Sequence, residues 1–346
     1  MNANKSRLRQ SHFYNLNQRK GLGLALSLLP LSSQRTLSSS SKNNNNKINH
    51  RPMVHLSSAP NVKFTGCKIG SSHPIIPHTI SPKRQIPQNI LSTLSKCNSV
   101  PSYAMNGVST TFGSFPSLDN YHHHDKKSME IQKIRKACQL ASKMLQKACQ
   151  LAQQPEFSLP SSSSFKATFH TTDYIDQIIH NDLIYNHNAY PSPLNYNHYP
   201  KSICTSINEV ICHGIPDSRR LMYGDLVSID VSVFMDGVHG DNCYSFIVGH
   251  NSEDERSEQK DLENDVDDEV MEQKYRARQL IYATKKAMYE AIDICRQGTT
   301  LNHIGNIIHD VADHYGYRPM KQVCGHGIGV ELHMSPQIKV RISIKH

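Results

Sequence analysis

The chain has 346 residues, of which 37% are hydrophobic, and a formal net charge of +9 that is unevenly distributed. Residues 1–118 contain 14 Lys and Arg and no Asp or Glu, so the rest of the chain has a net charge of −5. The basic pI of about 9.0 is therefore no evidence that the folded part binds nucleic acid. Nine cysteines without a Cys-x-x-Cys pair indicate neither a disulfide framework nor a zinc finger.

Residues 1–125 are predicted to be a targeting or disordered leader, and residues 126–346 a folded domain. The acid-free, basic and Ser-rich composition of the leader is typical of an organellar transit peptide. The mitochondrion is the predicted destination and the plastid is the alternative, while a merely disordered tail also fits this composition. The apolar run 21–31 is shorter than the roughly 20 residues that cross a bilayer, so no membrane span is expected.

Helical and strand-like patterns alternate through the folded domain. A first amphipathic helix is expected from Ser128 to Pro155, and a second begins with Thr172 as its cap. Runs of β-branched residues predict strands, and an acidic stretch predicts a solvated insertion, with a partner-binding loop as the alternative. The strands are expected at 203–207, 227–235 and 244–248, the insertion at 251–272, and two later helices at 273–296 and 301–314. This order indicates the α+β class.

Two carboxylates flank a predicted hairpin turn at Asp236-Gly237. Because Asp-Gly is a strong hairpin signal, Asp230 and Asp241 are expected to lie opposite each other on paired strands. Facing carboxylates repel unless a proton or a cation lies between them. The apolar neighbours of Asp230 argue against a solvated position, which leaves metal binding and a structural salt bridge as alternatives.

A second group of candidate functional residues is Gly325-His326-Gly327, followed by His333. The glycines remove side-chain bulk around the imidazole, so that it could reach a shared ligand. Alone, the pattern also fits an ordinary turn histidine. One His together with two Asp is a mixed nitrogen and oxygen ligand set, which suits Mn, Fe, Co or Zn better than Ca.

The order and spacing of three segments closely resemble type 1 methionine aminopeptidases. These segments are 196–216, 230–241 and 325–329, and residues 189–194 and 217–219 are particularly similar to the mitochondrial subgroup. The resemblance implies the pita-bread fold, a curved antiparallel sheet covered by helices. It also implies two divalent metal ions as cofactors, with Asp230 as a ligand of one, Asp241 bridging both and His326 completing the set of the first.

The same resemblance implies roles for five further residues. His213 would contact the substrate near its amino end, and His333 would steady the scissile carbonyl oxygen. The side chains of Tyr196, Tyr199 and Leu332 would line an apolar methionine pocket. Ordinary core packing is the alternative for these three.

The implied activity is removal of the initiator methionine from nascent proteins whose second residue is small, by attack of a metal-activated hydroxide. Ribosome association is left open. The family pattern expects two glutamate ligands further on, whereas the chain reads Ile-Lys-Val-Arg-Ile-Ser-Ile-Lys-His over 338–346. The second half of the fold is therefore expected to be incomplete, and this polypeptide alone is expected to fold poorly and to be inactive. The alternative function is that of a catalytically inactive pita-bread interaction protein.

Overall fold

The computed structural model describes residues 28–30, 78–109, 128–156, 168–249 and 268–340. Five α-helices lie in these ranges: α1 (Gln88–Lys96), α2 (Ser128–Gln153), α3 (Thr172–Asn181), α4 (Asp268–Asp293) and α5 (Leu301–His314). Single turns of 3₁₀-helix span Ser102–Ala104 and Tyr196–His198, and a π-helical turn spans Asp182–Asn186. None of the helices within the described ranges is long and apolar enough to cross a membrane.

Ten short and long strands complete the described part of the fold. They are β1 (Leu28–Pro30), β2 (Thr168–Thr171), β3 (Tyr190–Pro191), β4 (Cys204–Ile207), β5 (Arg220–Met222), β6 (Leu226–Met235), β7 (Val238–Ile247), β8 (Tyr317–Pro319), β9 (Gly325–Gly327) and β10 (Met334–Ile338). All pairings are antiparallel: β1 with β8, β2 with β5, β9 with β10, and β6 with each of β3, β4 and β7.

The central sheet is organised by the β6–β7 hairpin. Its turn is Asp236-Gly237, as the sequence predicts, and Met235 is paired with Val238. Both turn residues have positive φ, 52° and 84°, which is the conformation of a type I′ turn. Glycine also suits the second position because a Cβ there would clash with the Asn98 side chain.

Helix α2 covers one face of this sheet because apolar and polar residues alternate along β6. Val227, Ile229, Val231 and Val233 are fully buried and share one hydrophobic cluster with the apolar face of α2. Burial of each such side chain contributes about 1.5–3 kcal/mol. The helix crosses β7 at Gly240, where a Cβ would collide with the backbone of α2. The polar residues of the hairpin are therefore left on the opposite face.

A second hydrophobic cluster joins α4, α5 and β10. Its buried members are Ala287, Ala291, Ile304, Ile308, Val311 and Ile338. The β6–β7 hairpin contacts the segment between β9 and β10 near its turn, where the backbone N–H of His239 donates to the Gly329 carbonyl at 2.7 Å.

Residues 78–109, here named the strap, pack on the folded domain although they lie within the predicted leader 1–125. Leu94 and Tyr103 of the strap are buried in one cluster with Phe234 of β6. The strap also supplies ion pairs to α3, through Arg84. The basic composition of the strap placed it in the predicted leader. Composition is a local property, and it does not report the contacts that the strap makes with segments far away in the chain. Residues 110–127, which contain the predicted boundary, lie outside the described residues.

Local details differ from the sequence-based expectations in three places. The cap of α3 is Thr171 rather than Thr172, since the Thr171 hydroxyl accepts from the Tyr174 backbone N–H at 3.1 Å. Strand β7 begins at Val238 and not at residue 244, because it pairs with β6 directly from the turn. Only residues 268–272 of the predicted insertion are described, and they form the start of α4.

Candidate functional site

The polar face of the β6–β7 hairpin carries the first group of candidate residues. Ser228, Asp230 and Ser232 alternate on β6 with the buried aliphatic residues, and Asp241 and Cys243 alternate on β7. The register pairs Asp230 with Cys243 and Ser232 with Asp241. The expectation that the two aspartates lie directly opposite each other is therefore wrong by two residues, although both remain on one face.

The two aspartates nevertheless interact closely. Burial raises the pKa of the Asp230 carboxyl well above its usual range, and the neighbouring Asp241 carboxylate raises it further. The Ser232 hydroxyl donates to Asp241 Oδ1 at 2.7 Å and so holds the second carboxylate in place. A close like-charge pair of this kind, with one carboxylate oxygen buried, is stabilised when a cation lies between its members.

The Asp230 side chain has the unsatisfied chemistry that a metal ligand needs. Its Oδ1 atom is buried and has no hydrogen-bond partner. Among the ion pairs of the described residues, none includes Asp230, so the alternative of a structural salt bridge has no support in this part of the chain. An orphaned carboxylate oxygen beside a second carboxylate fits a divalent cation.

The second group of candidates is a set of histidines at and after β9. His326 lies on β9, and its ring centroid is 4.5 Å from that of His333. The His333 Nδ1 atom is hydrogen-bonded to the Tyr196 hydroxyl at 2.7 Å. Burial lowers the pKa of His333 to about 4, and its neighbours His326 and His213 lower it as well. His333 is therefore a neutral imidazole at neutral pH.

The structure brings the aspartates together and the histidines together, but it does not bring the predicted metal ligands into one tight set. Within the described ranges, no three His, Cys, Asp or Glu side chains are grouped closely enough to hold an ion. The Nδ1 atom of His326 instead contacts the carbonyl oxygen of Gly327 at 3.0 Å. The ligand roles of Asp230, Asp241 and His326 thus remain predictions.

The three residues expected to line an apolar pocket have different surroundings. Leu332 is buried, and Tyr196 is half-buried with its hydroxyl on His333. The Tyr199 hydroxyl donates to the carbonyl oxygens of Gly214, at 2.8 Å, and Ile203, at 3.2 Å. Tyr199 therefore fixes the loop that carries His213, whose side chain is exposed.

Sequence reasoning missed a buried aromatic group behind this site. His239 is fully buried, its Nδ1 lies 2.8 Å from the Ser192 hydroxyl, and its Nε2 has no partner. Its ring stacks on Tyr103 of the strap and tilts against Phe234. Burial lowers the pKa of His239 to about 3, so it is neutral. Its position next to the Asp-Gly turn was the one available signal.

A cleft of about 430 Å³ lies elsewhere, between the strap and α3. Its lining includes Lys83, Arg84, Asp173 and His180, and it contains none of the predicted ligand or pocket residues. The chemistry described above therefore lies outside this cleft.

Comparison with known proteins adds an independent line of evidence. The model of metallopeptidase family M24 matches residues 132–344. Methionine aminopeptidase 1D, chloroplastic/mitochondrial, of Arabidopsis thaliana is 35% identical over 262 residues, which are 76% of this chain and 60% of that protein. Methionine aminopeptidase 1D, mitochondrial, of Homo sapiens is 33% identical over 268 residues, or 77% of this chain and 64% of that protein. The chain thus spans less than two thirds of the length of either relative.

Among solved structures, a methionine aminopeptidase from Rickettsia prowazekii is 33% identical and has a TM-score of 0.49. The match covers 62% of this chain and 71% of that chain.

Proposed function

Because the chain belongs to metallopeptidase family M24, with its α+β pita-bread fold, we propose that it functions as a methionine aminopeptidase. The proposed reaction is hydrolysis of the first peptide bond of proteins that begin with methionine and continue with a small residue. The names of its relatives support this choice over other members of the family.

The observation that carries the proposal is the orphaned Oδ1 of Asp230 beside Asp241 on the polar face of the hairpin. Burying a carboxylate oxygen without a partner costs free energy, and the β6–β7 register places this oxygen beside a second carboxylate. Such an arrangement is unfavourable in a purely structural sheet and favourable in a site for a divalent cation.

Asp230, Asp241 and His326 are the residues that we propose would hold two divalent ions, of Co, Mn, Fe or Zn. When bound, such ions make a hydroxide available near neutral pH and polarise a carbonyl group. Ser232 keeps the Asp241 carboxylate oriented by its 2.7 Å hydrogen bond.

The histidines are proposed to act on the substrate. His333 is neutral and can donate an N–H to the carbonyl oxygen of the scissile bond as charge develops there. His213 is exposed on a loop anchored by Tyr199, where it could contact the substrate near its amino end. Tyr196 and Leu332 would contribute apolar surface for the methionine side chain.

We also propose a mitochondrial location, with the plastid as the alternative. The basic, acid-free leader and the organellar names of the relatives support it. Nascent organellar proteins would then be the substrates, and ribosome association remains a prediction.

The experiment is a peptide assay on the protein translated from its complete mature transcript, stripped of metal and resupplied with Co²⁺, Mn²⁺, Fe²⁺ or Zn²⁺ in turn. Release of free methionine from Met-Ala-Ser, but not of leucine from Leu-Ala-Ser, is expected. Asp241→Asn should abolish release, and His333→Ala should lower kcat by about 100–1000-fold, as loss of one oxyanion donor does. His303→Gln, on the exposed face of α5, is the control. No methionine release with any of the metals would instead favour an inactive interaction protein.

A further inference from the structure

The strap is anchored to the folded domain at two places, of which the first is a buried ion cluster. Lys201 is fully buried, and its Nζ donates to Ser81 Oγ and to Asp173 Oδ1, each at 2.6 Å. Arg84 donates to Asp173 Oδ1 at 2.8 Å and to Asp176 Oδ2 at 2.7 Å. The cluster balances two cations with two carboxylates, so the strap is held in a fixed position.

The second anchor lies on the loop between β3 and β4. Tyr103 is 1% exposed, and its hydroxyl donates to the Ser192 carbonyl oxygen at 2.7 Å. The Asn195 side-chain amide donates to the carbonyl oxygens of Ala104, at 2.8 Å, and Tyr103, at 3.3 Å. Lys83 of the strap also donates to Asn195 Oδ1. Asn195 has a φ of 63°, so these contacts stabilise a left-handed backbone conformation.

This anchored loop holds Tyr196 next to His333. The Tyr103 ring meets the Tyr196 ring edge-on, with centroids 5.0 Å apart and planes at 89°. Tyr196 follows Asn195 directly, so its backbone and its ring are both held by the strap. At the far end of that ring, the hydroxyl lies 2.7 Å from His333 Nδ1.

We propose that Tyr103 is a positioning residue, which acts through Tyr196 to hold His333 in the tautomer protonated at Nε2. This inference rests on the proposed function and deepens it. A phenol is a far stronger hydrogen-bond donor than a neutral imidazole N–H, and an imidazole nitrogen is the stronger acceptor. The Tyr196 hydroxyl therefore donates to Nδ1, and the ring proton lies on Nε2. Only that nitrogen is left to donate to a substrate carbonyl.

The strap thus supports Tyr196 beside His333. Three variants test the contribution of the Tyr196 hydroxyl and that of the Tyr103 ring independently. Tyr196→Phe keeps the ring and removes the donor, so kcat should fall by about 10–100-fold with KM nearly unchanged, as happens when a residue orienting a reactive group is lost. Tyr103→Leu removes the supporting ring and should lower kcat in the same way but less. Tyr103→Phe keeps the ring and should restore most of the activity. Tyr185→Phe, a half-exposed tyrosine away from the site, is the matched control.

A spectroscopic signature distinguishes positioning from general damage. In ¹⁵N-histidine-labelled full-length protein without metal, His333 is assigned by comparison with His333→Gln, and its two ring-nitrogen shifts report the tautomer. We expect one form protonated at Nε2 in the wild type and in Tyr103→Phe, and a mixture in Tyr196→Phe and Tyr103→Leu.

Wild-type protein with His333 protonated at Nδ1 would overturn the inference, and so would an unchanged tautomer in Tyr196→Phe. Unchanged kcat in both Tyr196→Phe and Tyr103→Leu would also contradict it. A wild type that releases no methionine, but that shows the expected tautomers, would refute the proposed function and leave the effect of Tyr196 on His333 supported.

Discussion

Replacement of Asp230 by Asn should affect stability in opposite directions with and without metal. In the metal-free protein, Oδ1 of Asp230 is buried without a partner beside the Asp241 carboxylate. An unsatisfied buried polar group costs about 1–3 kcal/mol, and more when it is charged. An uncharged amide of nearly the same shape relieves the repulsion between the two carboxylates. Asp230→Asn should therefore stabilise the metal-free protein at neutral pH by at least about 1 kcal/mol.

The same substitution should abolish stabilisation by metal. A divalent ion at 100 times its dissociation constant stabilises a native protein by about 2.7 kcal/mol. For a folded domain of this size, each kcal/mol corresponds to roughly 2–4 °C in Tm. Wild-type protein should thus show a rise in Tm on addition of Mn²⁺ or Co²⁺, and Asp230→Asn should show a higher starting Tm and little rise.

The assay is thermal unfolding followed by circular dichroism, with EDTA or with a series of Mn²⁺ concentrations. Asp236→Asn is a matched control on the same hairpin, because Asn-Gly also favours the type I′ turn and residue 236 is not a proposed ligand. The pH dependence supplies a further check. The pKa of Asp230 is raised in the folded state. Its favourable contribution to the free energy of unfolding is therefore present below the pKa of the unfolded state, and is lost as pH rises through the pKa of the folded state. Lower stability of Asp230→Asn in EDTA, or an undiminished response to Mn²⁺, would refute the reasoning.

Three further substitutions test the framework around the site by urea unfolding. Asp225 is fully buried and accepts two hydrogen bonds from Arg219, so Asp225→Asn should lower the free energy of unfolding by about 3–5 kcal/mol. Because this ion pair lowers the pKa of Asp225, its contribution to stability should be lost as pH falls through the lowered pKa. A cost below about 1 kcal/mol at pH 7 would contradict the ion-pair argument. Ile229→Ala leaves a cavity beneath α2 and should cost about 2–5 kcal/mol, whereas Val210→Ala, at an exposed site, should change stability by less than about 0.5 kcal/mol. Gly240→Ala should cost roughly 1–3 kcal/mol, because its Cβ would push the α2 backbone off the sheet, and an unchanged unfolding midpoint would disprove that contact.

Local sequence patterns were sufficient for the elements whose geometry is set within a few residues. The Asp236-Gly237 pair predicted the hairpin because only a type I′ turn places two positive φ values between paired strands. The β-branched run 227–235 predicted strand β6, because branched side chains pack well on a pleated sheet. Helix α5 was predicted with its observed limits, Leu301–His314, because its residues follow a helical period and Gly316 follows it.

The register of the two aspartates follows from the position of the turn, which fixes strand pairing to the residue. With Met235 paired to Val238, Asp230 faces Cys243, and the two carboxylates lie diagonally on one face. A sequence pattern identifies the face, whereas the register decides which side chains on that face are direct neighbours.

Only the tertiary structure decided what surrounds the histidines. The bond from Tyr196 to His333 joins residues 137 apart, and the bond from Lys201 to Ser81 joins residues 120 apart. No helical or strand period relates such positions, since their contact depends on how whole segments pack. The sequence by itself determined the family, the hairpin and the candidate ligands. The tertiary structure decided that the strap lies behind Tyr196, because buried charges and aromatic rings find partners in space and not along the chain.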